Sequence, residues 1–374
     1  MTSQIRFPTL QPVPKMRRNA PCWCGSGRKW KTCHRDRESG ARAENPNQPI
    51  AKLAKRFRSG SMCYHPDAPA GCRGKVIGSH TVQRNGPLRR IARDGHVYGY
   101  RITGIAGEEE LPKLIGLRDA SVFPGFCSLH DTQLFASVET GRIEATPRTA
   151  FLLTYRALAY ELHQKKKSRA AAELVASLDR GRSFIDQAFV QQLAAQLDHG
   201  SEIAQRELES QLTGLKADHE VADFSRFQAI FITFDRVLPF AASFFIAPYE
   251  DISGHKIQGW FDAEASYVSF ASLIVGEASV IMLGWERSSS LGCVGDQIAA
   301  ANPSEVATLL LRFALSNSEN VFLSPDWYEL LGKTEKREMV TLFEHNLPGS
   351  EPHRLPSGTA ALIEASAAQV TRLG

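Results

Sequence analysis

The sequence of 374 residues is poor in the short motifs that identify enzymes. Residues 225–374 contain no glycine-rich phosphate loop, no nucleophile elbow and no pair of metal-binding histidines, which argues against several common hydrolase classes. No apolar run approaches the length of a membrane span, and the first 18 residues lack the apolar centre of a signal peptide. We therefore expect a cytoplasmic protein with no membrane partner.

Cysteine is also scarce, and its distribution along the chain is uneven. The sequence has 7 cysteines, and six of them fall between Cys22 and Cys127, which leaves only Cys293 outside. In a reducing compartment such clustering indicates metal sites rather than disulfides, and we expect Cys293 to be an inert thiol.

Acidic residues are nearly absent from the beginning of the chain. Residues 1–60 contain 14 Lys and Arg against 3 Asp and Glu, a local charge of +11, whereas the whole chain carries +4. Such an arm on a mildly acidic body suits binding to nucleic acid, to a ribosome or to an acidic protein partner. The alternative, a solvated flexible arm, stays open at this point.

The stretch from Asn19 to Arg35, NAPCWCGSGRKWKTCHR, carries the strongest chemical signal. Cys22, Cys24, Cys33 and His34 follow the pattern Cys-x-Cys-x8-Cys-His, and three thiolates with one imidazole suit a closed tetrahedral zinc site. Bound metal would supply the folding energy that so short a segment cannot obtain from a core. The alternative is a disulfide-stapled loop, which is disfavoured because cysteines one residue apart are poorly placed to pair with each other.

This stretch resembles the SEC-C motif, a zinc-binding module appended to many otherwise unrelated bacterial proteins. The resemblance covers about residues 18–34 and rests on the run APCWCGSGRKWKTCH. It implies that the four residues named above bind zinc and that the module docks onto proteins or ribosomes without being catalytic. We expect the run from Arg28 to Lys31, which includes Trp30, to form a basic and aromatic rim around it.

A second set of candidate ligands is spread over a longer segment and consists of Cys63, Cys72, Cys127 and His130. A short strand is predicted over Val76–Ser79, and Cys127 with His130 should lie at the start of a helix that buries Leu134, Phe135 and Val138. A hairpin followed by a ligand-bearing helix is the arrangement of a treble-clef zinc site. His65 is an alternative ligand.

The same segment resembles the HNH, or His-Me finger, nucleases. By that resemblance His80, at the end of the predicted strand, would be the general base, and Asp131 would contact a catalytic Mg²⁺ or Mn²⁺ ion. Four nearby arginines could neutralise phosphates, namely Arg84, Arg89, Arg90 and Arg93. An endonuclease in phage defence is thus the alternative to a structural zinc module in which His80 only packs.

The rest of the chain indicates an α+β fold. Two long helices should form a hairpin that could also serve in oligomerisation, and four strands should begin near Phe227, Ala241, Tyr267 and Ala278. Three helices should open near Pro303, Pro325 and Thr334, and a weaker helix should cover about the last twenty residues.

These predictions divide the chain into six segments. They are a disordered basic arm (1–17), the SEC-C motif (18–37), a linker (38–58), an HNH-like treble-clef domain (59–142), the helical hairpin (146–220) and an α+β domain (225–374). The first zinc module should move independently. The function that the sequence favours is binding of nucleic acid or of a protein partner through two basic, zinc-stabilised modules.

Overall fold

A computed structural model describes residues 8–41, 62–100, 111–139, 143–259, 265–344 and 361–374. The chain divides into two compact units. We call the larger one, formed by residues 62–161 and 214–374, the core unit. The smaller one, formed by residues 4–61 and 162–213, is called the arm unit.

The core unit is built on an antiparallel sheet of eight strands within the described residues. Four of them are central, namely β5 (Phe227–Phe234), β6 (Phe240–Ile246), β7 (Val268–Val275) and β8 (Ala278–Glu286). They confirm the four predicted strands. Dense β-branched and aromatic residues favour extended backbone, and nearly every position of β6 and β8 is buried.

Helices cover this sheet with a continuous apolar layer. The four that follow β8 are α6 (Gly292–Ala300), α7 (Val306–Asn317), α8 (Pro325–Leu330) and α9 (Lys333–Glu344). Phe244, Phe270 and Trp285 of the sheet belong to one buried cluster with Phe313 and Phe343 of the helices. The mixed helical and antiparallel fold class is therefore confirmed.

One edge of the sheet departs from the sequence prediction. Residues Ala367–Leu373 form strand β10, which pairs antiparallel with β5, so the weak helix predicted there is wrong. The alanine-rich composition favours a helix locally, but the backbone of β5 offers an unpaired edge whose hydrogen-bonding groups β10 satisfies. Tertiary pairing therefore overrides local propensity.

The opposite edge is formed by strands from the predicted second zinc domain. β2 (His96–Gly99) pairs with β3 (Lys113–Gly116) on one side and with β9 (Val321–Leu323) on the other, and β9 pairs with β6. Segments predicted as separate domains, 59–142 and 225–374, thus share a single sheet.

A separate two-stranded sheet carries the second candidate metal site. It pairs β1 (Val76–His80) antiparallel with β4 (Val122–Cys127), and α3 (Ser128–Glu139) follows β4 directly. Between β1 and β2 lie a π-type turn (Arg84–Leu88) and the single turn α2 (Arg89–Ile91). Leu134, Phe135 and Val138 are buried as predicted.

The predicted helical hairpin consists of α4 (Pro147–Ser177) and α5 (Phe184–Glu220). Both helices have portions in each unit. Their antiparallel pairing in the arm unit is held by ion pairs such as Lys166–Glu209 and Arg169–Asp198. None of the helices in the described part of the chain is long and apolar enough to cross a membrane.

The N-terminal zinc motif and its short helix α1 (Trp30–Cys33) belong to the arm unit. Residues from the predicted disordered arm are also fixed there, because Gln192 of α5 accepts a hydrogen bond from the Leu10 amide and donates one to the Pro8 carbonyl. Residues 1–7 and 42–58 of the predicted arm and linker lie outside the described residues.

The contact between α6 and the sheet yields a test of the fold. A Cβ atom on Gly295 would lie 2.5 Å from Cη2 of the fully buried Trp285, whereas one on Gly292 would meet nothing closer than 3.9 Å. Alanine favours a helix by about 1 kcal/mol over glycine, but overpacking a rigid core costs about 1–3 kcal/mol.

We therefore expect Gly295→Ala to lower the free energy of unfolding by up to about 2 kcal/mol, the difference of these two effects. The matched variant Gly292→Ala should be neutral or slightly stabilising. Urea unfolding followed by far-UV circular dichroism measures both, and equal effects at the two positions would contradict this packing of α6 on Trp285.

Candidate metal centres

The first candidate site is built by a tight loop followed by α1. The amide of Cys22 donates a hydrogen bond of 2.8 Å to the carbonyl of Arg28, which closes the loop that carries the first two cysteines. Gly25 and Gly27 in this loop have φ values of +76° and +71°, which side chains with a Cβ rarely tolerate. Helix α1 then turns the third cysteine and the histidine back towards the loop.

The four predicted ligand atoms of this site come together in a buried cluster. The sulfur and imidazole nitrogen atoms of Cys22, Cys24, Cys33 and His34 all lie within 4.8 Å of one another. Nδ1 of His34 is 3.2 Å from the sulfurs of Cys22 and Cys33, and the sulfurs of Cys24 and Cys33 are 3.6 Å apart. Tetrahedral zinc would separate two thiolate sulfurs by about 3.8 Å, so these residues fit the ion.

The electrostatics of the first site also favour a cation. Burial raises the pKa of Cys22 to about 12, and the neighbouring thiolates of Cys24 and Cys33 act in the same direction. Burial acts in the same direction on Cys24, but hydrogen bonds with His34 and Ser26 outweigh it and lower the pKa of Cys24 to about 6. Zinc requires deprotonated cysteines, and its charge would remove the repulsion that disfavours the thiolates.

The other nitrogen of His34 faces a residue that the sequence did not single out. Nε2 of His34 lies 2.8 Å from Oδ2 of Asp179, in the connection between α4 and α5, 145 positions away along the chain. Burial lowers the pKa of His34, but the hydrogen bond to Asp179 and the nearby thiolates outweigh it and raise this pKa to about 9. No local pattern marks Asp179, since its contact depends on how the helical hairpin folds.

The second candidate site joins the β1–β4 pair to the start of α3. The ligand atoms of Cys63, Cys72, Cys127 and His130 lie within 4.8 Å of one another, and Nδ1 of His130 is 3.5 Å from the sulfurs of both Cys63 and Cys72. Burial raises the pKa of Cys127, but hydrogen bonds from the backbone amides of His130 and Arg73 contribute to a net lowering. These amides point at the Cys127 thiolate and favour its charged form.

His65, the alternative ligand, has a different place. Its Nδ1 accepts a hydrogen bond from the amide of Asp67 at 3.1 Å, and its ring stacks on that of His130 with the centroids 3.9 Å apart. Burial lowers the pKa of His65 to about 4, and the neighbouring His130 acts in the same direction. A neutral ring stacked on a ligand supports the orientation of that ligand.

The two residues predicted for catalysis lie near the second site. His80 ends β1, and its Nε2 is 3.2 Å from the carbonyl oxygen of Leu117. Burial lowers the pKa of His80, and Arg84 and Arg156 lower it further against the opposing influence of the Leu117 carbonyl and Asp131. Asp131 lies in the first turn of α3, and its buried Oδ1 has no hydrogen-bond partner among the described residues.

The four arginines predicted near His80 divide into two groups. Arg90 forms an ion pair with Glu277, and Arg93 forms ion pairs with Asp326 and Glu329. Arg84 and Arg89 are exposed. Only half of the predicted basic segment is therefore free of salt bridges within the described part of the chain.

The rim of the first site also differs from the prediction. Arg28 and Lys29 are exposed, but Trp30 is buried with Trp23 against the metal cluster. The ring of Trp23 lies 4.6 Å from that of His34 and 5.9 Å from that of Phe184. The tryptophans stabilise the module, and the rim is basic without being aromatic.

Comparison with known proteins supports the assignment of the first site. The sequence model of the SEC-C motif matches residues 18–36. A stretch of 19 residues is 84% identical to part of a methionine aminopeptidase of Chlamydia pneumoniae, and it covers 5% of this chain and 6% of that protein. No solved structure matches the chain. The similarity thus identifies a small zinc-binding motif and does not extend to a whole protein.

The two closed ligand sets give a direct prediction of metal content. We expect two zinc ions per chain in the purified protein, and one in either Cys24→Ser or Cys63→Ser, because each substitution removes a thiolate from one set. Cys293→Ser, which removes a cysteine outside both clusters, should retain two ions. Native mass spectrometry measures this, and a single zinc ion unaffected by Cys63→Ser would exclude the second site.

Proposed function

We propose that this zinc-binding protein uses its N-terminal SEC-C module to dock onto nucleic acid. The observation that carries the proposal is a group of exposed cations around the first metal cluster, namely Lys15, Arg17, Arg18, Arg28 and Lys29. None of the five forms a salt bridge within the described part of the chain. Exposed, unneutralised cations are what binding to a phosphate backbone requires.

The fold of the module places these cations on adjacent backbone segments that are joined by hydrogen bonds. The amide of Lys31 donates to the carbonyl of Arg18, and the amide of Trp30 donates to that of Ala20. The carbonyl of Arg28 accepts a hydrogen bond from the amide of Cys22. The cations are thus attached to a backbone that the metal ligands fix, which makes the charged surface dependent on zinc.

The metal itself has a structural role in this proposal. Four protein ligands would complete a tetrahedral coordination shell, and all four residues are buried, so substrate would find no open position on the ion. The similarity to a methionine aminopeptidase covers only 6% of that protein. A motif shared on so small a scale is consistent with a docking module appended to chains that differ elsewhere.

Charge reversal tests the proposal. We expect Arg28→Glu combined with Lys29→Glu to weaken binding to a single-stranded RNA or a DNA duplex by about tenfold or more, and to reduce the slope of log affinity against log salt by roughly 1.5. Fluorescence anisotropy at several salt concentrations measures both quantities. Zinc content should stay unchanged, because neither side chain is a ligand.

The control is Lys113→Glu combined with Arg118→Glu, which reverses two exposed charges of the core unit. It should bind as the wild-type protein does. Binding that is insensitive to salt and to the first pair of substitutions, or no binding to either nucleic acid, would overturn the proposal and favour a protein partner.

A second candidate function is metal-dependent cleavage of nucleic acid at His80. The observation that favours it is the unpartnered, buried Oδ1 of Asp131, which exerts an electrostatic influence on the strand-end His80. If Nε2 of His80 donates to the Leu117 carbonyl, Nδ1 is left to accept a proton from water. A carboxylate oxygen without a protein partner is available to Mg²⁺ or Mn²⁺.

The test of this second function is His80→Ala. Loss of a general base should reduce cleavage of plasmid or RNA by about a hundredfold or more while both zinc ions remain bound. His96→Ala, at an exposed histidine in β2, is the matched control and should cleave normally. Absence of cleavage by the wild-type protein in both magnesium and manganese would exclude this function.

A further inference from the structure

Asp179 is a buried carboxylate on which three separate parts of the arm unit converge. Its side chain is 0% exposed, and it lies in the short connection between α4 and α5. A carboxylate in such a position requires compensating donors, because removal from water strongly disfavours the charged form. Burial does raise the pKa of Asp179, but its hydrogen bonds outweigh this and hold the pKa below its usual value.

The donors come from the zinc motif, from the residues that follow it and from the second helix. Nε2 of His34 is 2.8 Å from Oδ2 of Asp179, and Nε2 of Gln191 donates to the same oxygen at 2.7 Å. The guanidinium of Arg37 pairs with Oδ1. Arg37 and Gln191 also donate to the carbonyl of Ala176 at the end of α4, at 3.1 Å and 2.7 Å.

The orientation of His34 makes this cluster relevant to the metal. Nδ1 faces the thiolates, so an ion bound at the four-ligand site would take Nδ1 and leave the ring proton on Nε2. That proton is directed at Asp179. A carboxylate behind a histidine ligand fixes its tautomer and ring orientation and makes the ligand more basic.

We infer that Asp179 is an outer-shell partner of the first zinc site, and that it joins zinc binding to closure of the α4–α5 connection. With zinc bound, His34 is held as an Nε2 donor and completes the shell of donors around the buried carboxylate. Without zinc, no metal bond fixes the position of the ring, and the contact between His34 and Asp179 is held less firmly. The α4–α5 connection therefore responds to whether metal is bound at a motif 145 residues away in sequence.

Coupling of this kind is reciprocal, because two linked binding equilibria influence each other equally. A change at Asp179 must weaken zinc binding, and removal of zinc must loosen the connection between the helices. The inference concerns the stability of the module and does not depend on which partner the module binds.

The experiment is a double-mutant cycle on zinc affinity, measured by competition with a chromophoric chelator on the full chain. Asp179→Asn in the wild-type background should lower the affinity for one of the two zinc ions by about 10–100-fold. His34→Cys converts the first site into a four-cysteine site that has no Nε2 proton to donate. In that background Asp179→Asn should cause no further loss.

The cycle separates a role at the metal from general damage to the helical hairpin. If Asp179→Asn acts by unfolding the connection, the loss of affinity will be the same in both backgrounds, and the inference is overturned. Asp198→Asn removes a carboxylate of α5 that pairs with Arg169 instead, and it should leave both zinc affinities unchanged.

A second measurement uses the wild-type protein alone. Hydrogen exchange followed by mass spectrometry should show faster exchange over residues 176–191 after zinc is removed by chelator, together with faster exchange over residues 20–37. The same change should appear in Cys33→Ser. An exchange rate over residues 176–191 that does not change when zinc is removed would contradict the coupling.

Discussion

Three cysteine thiolates cannot remain within 4.8 Å of one another, beside an imidazole nitrogen, unless a cation lies between them. Both metal clusters place this constraint on segments too short to bury a core of their own. At the first site the cation supports a loop and one turn of helix. At the second it holds the residues before β1 against the start of α3. The elements around each cluster would therefore depend on a bound metal in a way that the large sheet does not.

The electrostatic surface follows from where carboxylates are available. In the core unit Arg90 and Arg93 form ion pairs with acidic residues of other segments, so their charges are neutralised within the fold. Around the first cluster, Arg28 and Lys29 have no such partners in the described structure and point to solvent. Arg90 and Arg93 are thus paired with carboxylates, whereas Arg28 and Lys29 form no salt bridge within the described residues.

The metal ligands were predictable because their chemistry is local and specific. Cys22 to His34 form a set within one short stretch, and Cys63 to His130 are identified by residue type despite their wider spacing. The central strands were equally clear, since their composition favours extended backbone. In contrast, strand β10, the place of β2 beside β9 and the contact of Asp179 with His34 depend on pairings across most of the chain. Local sequence carries no record of such partners.

The position of β2 and β3 at the edge of the sheet has a consequence for synthesis of the protein. Val97 and Ile115 belong to a buried cluster that also contains Ala241 and Phe322, so part of the apolar cover of this strand pair is made much later. A nascent chain that has passed residue 131 already carries every ligand of the second cluster, whereas β9 appears only at Val321–Leu323. Long-range strand pairing is slow, and uncovered strand pairs are prone to aggregate. The β1–β4 hairpin has all of its candidate ligands before β9 is synthesised. Zinc supplied during translation would therefore stabilise this hairpin until β2 pairs with β9.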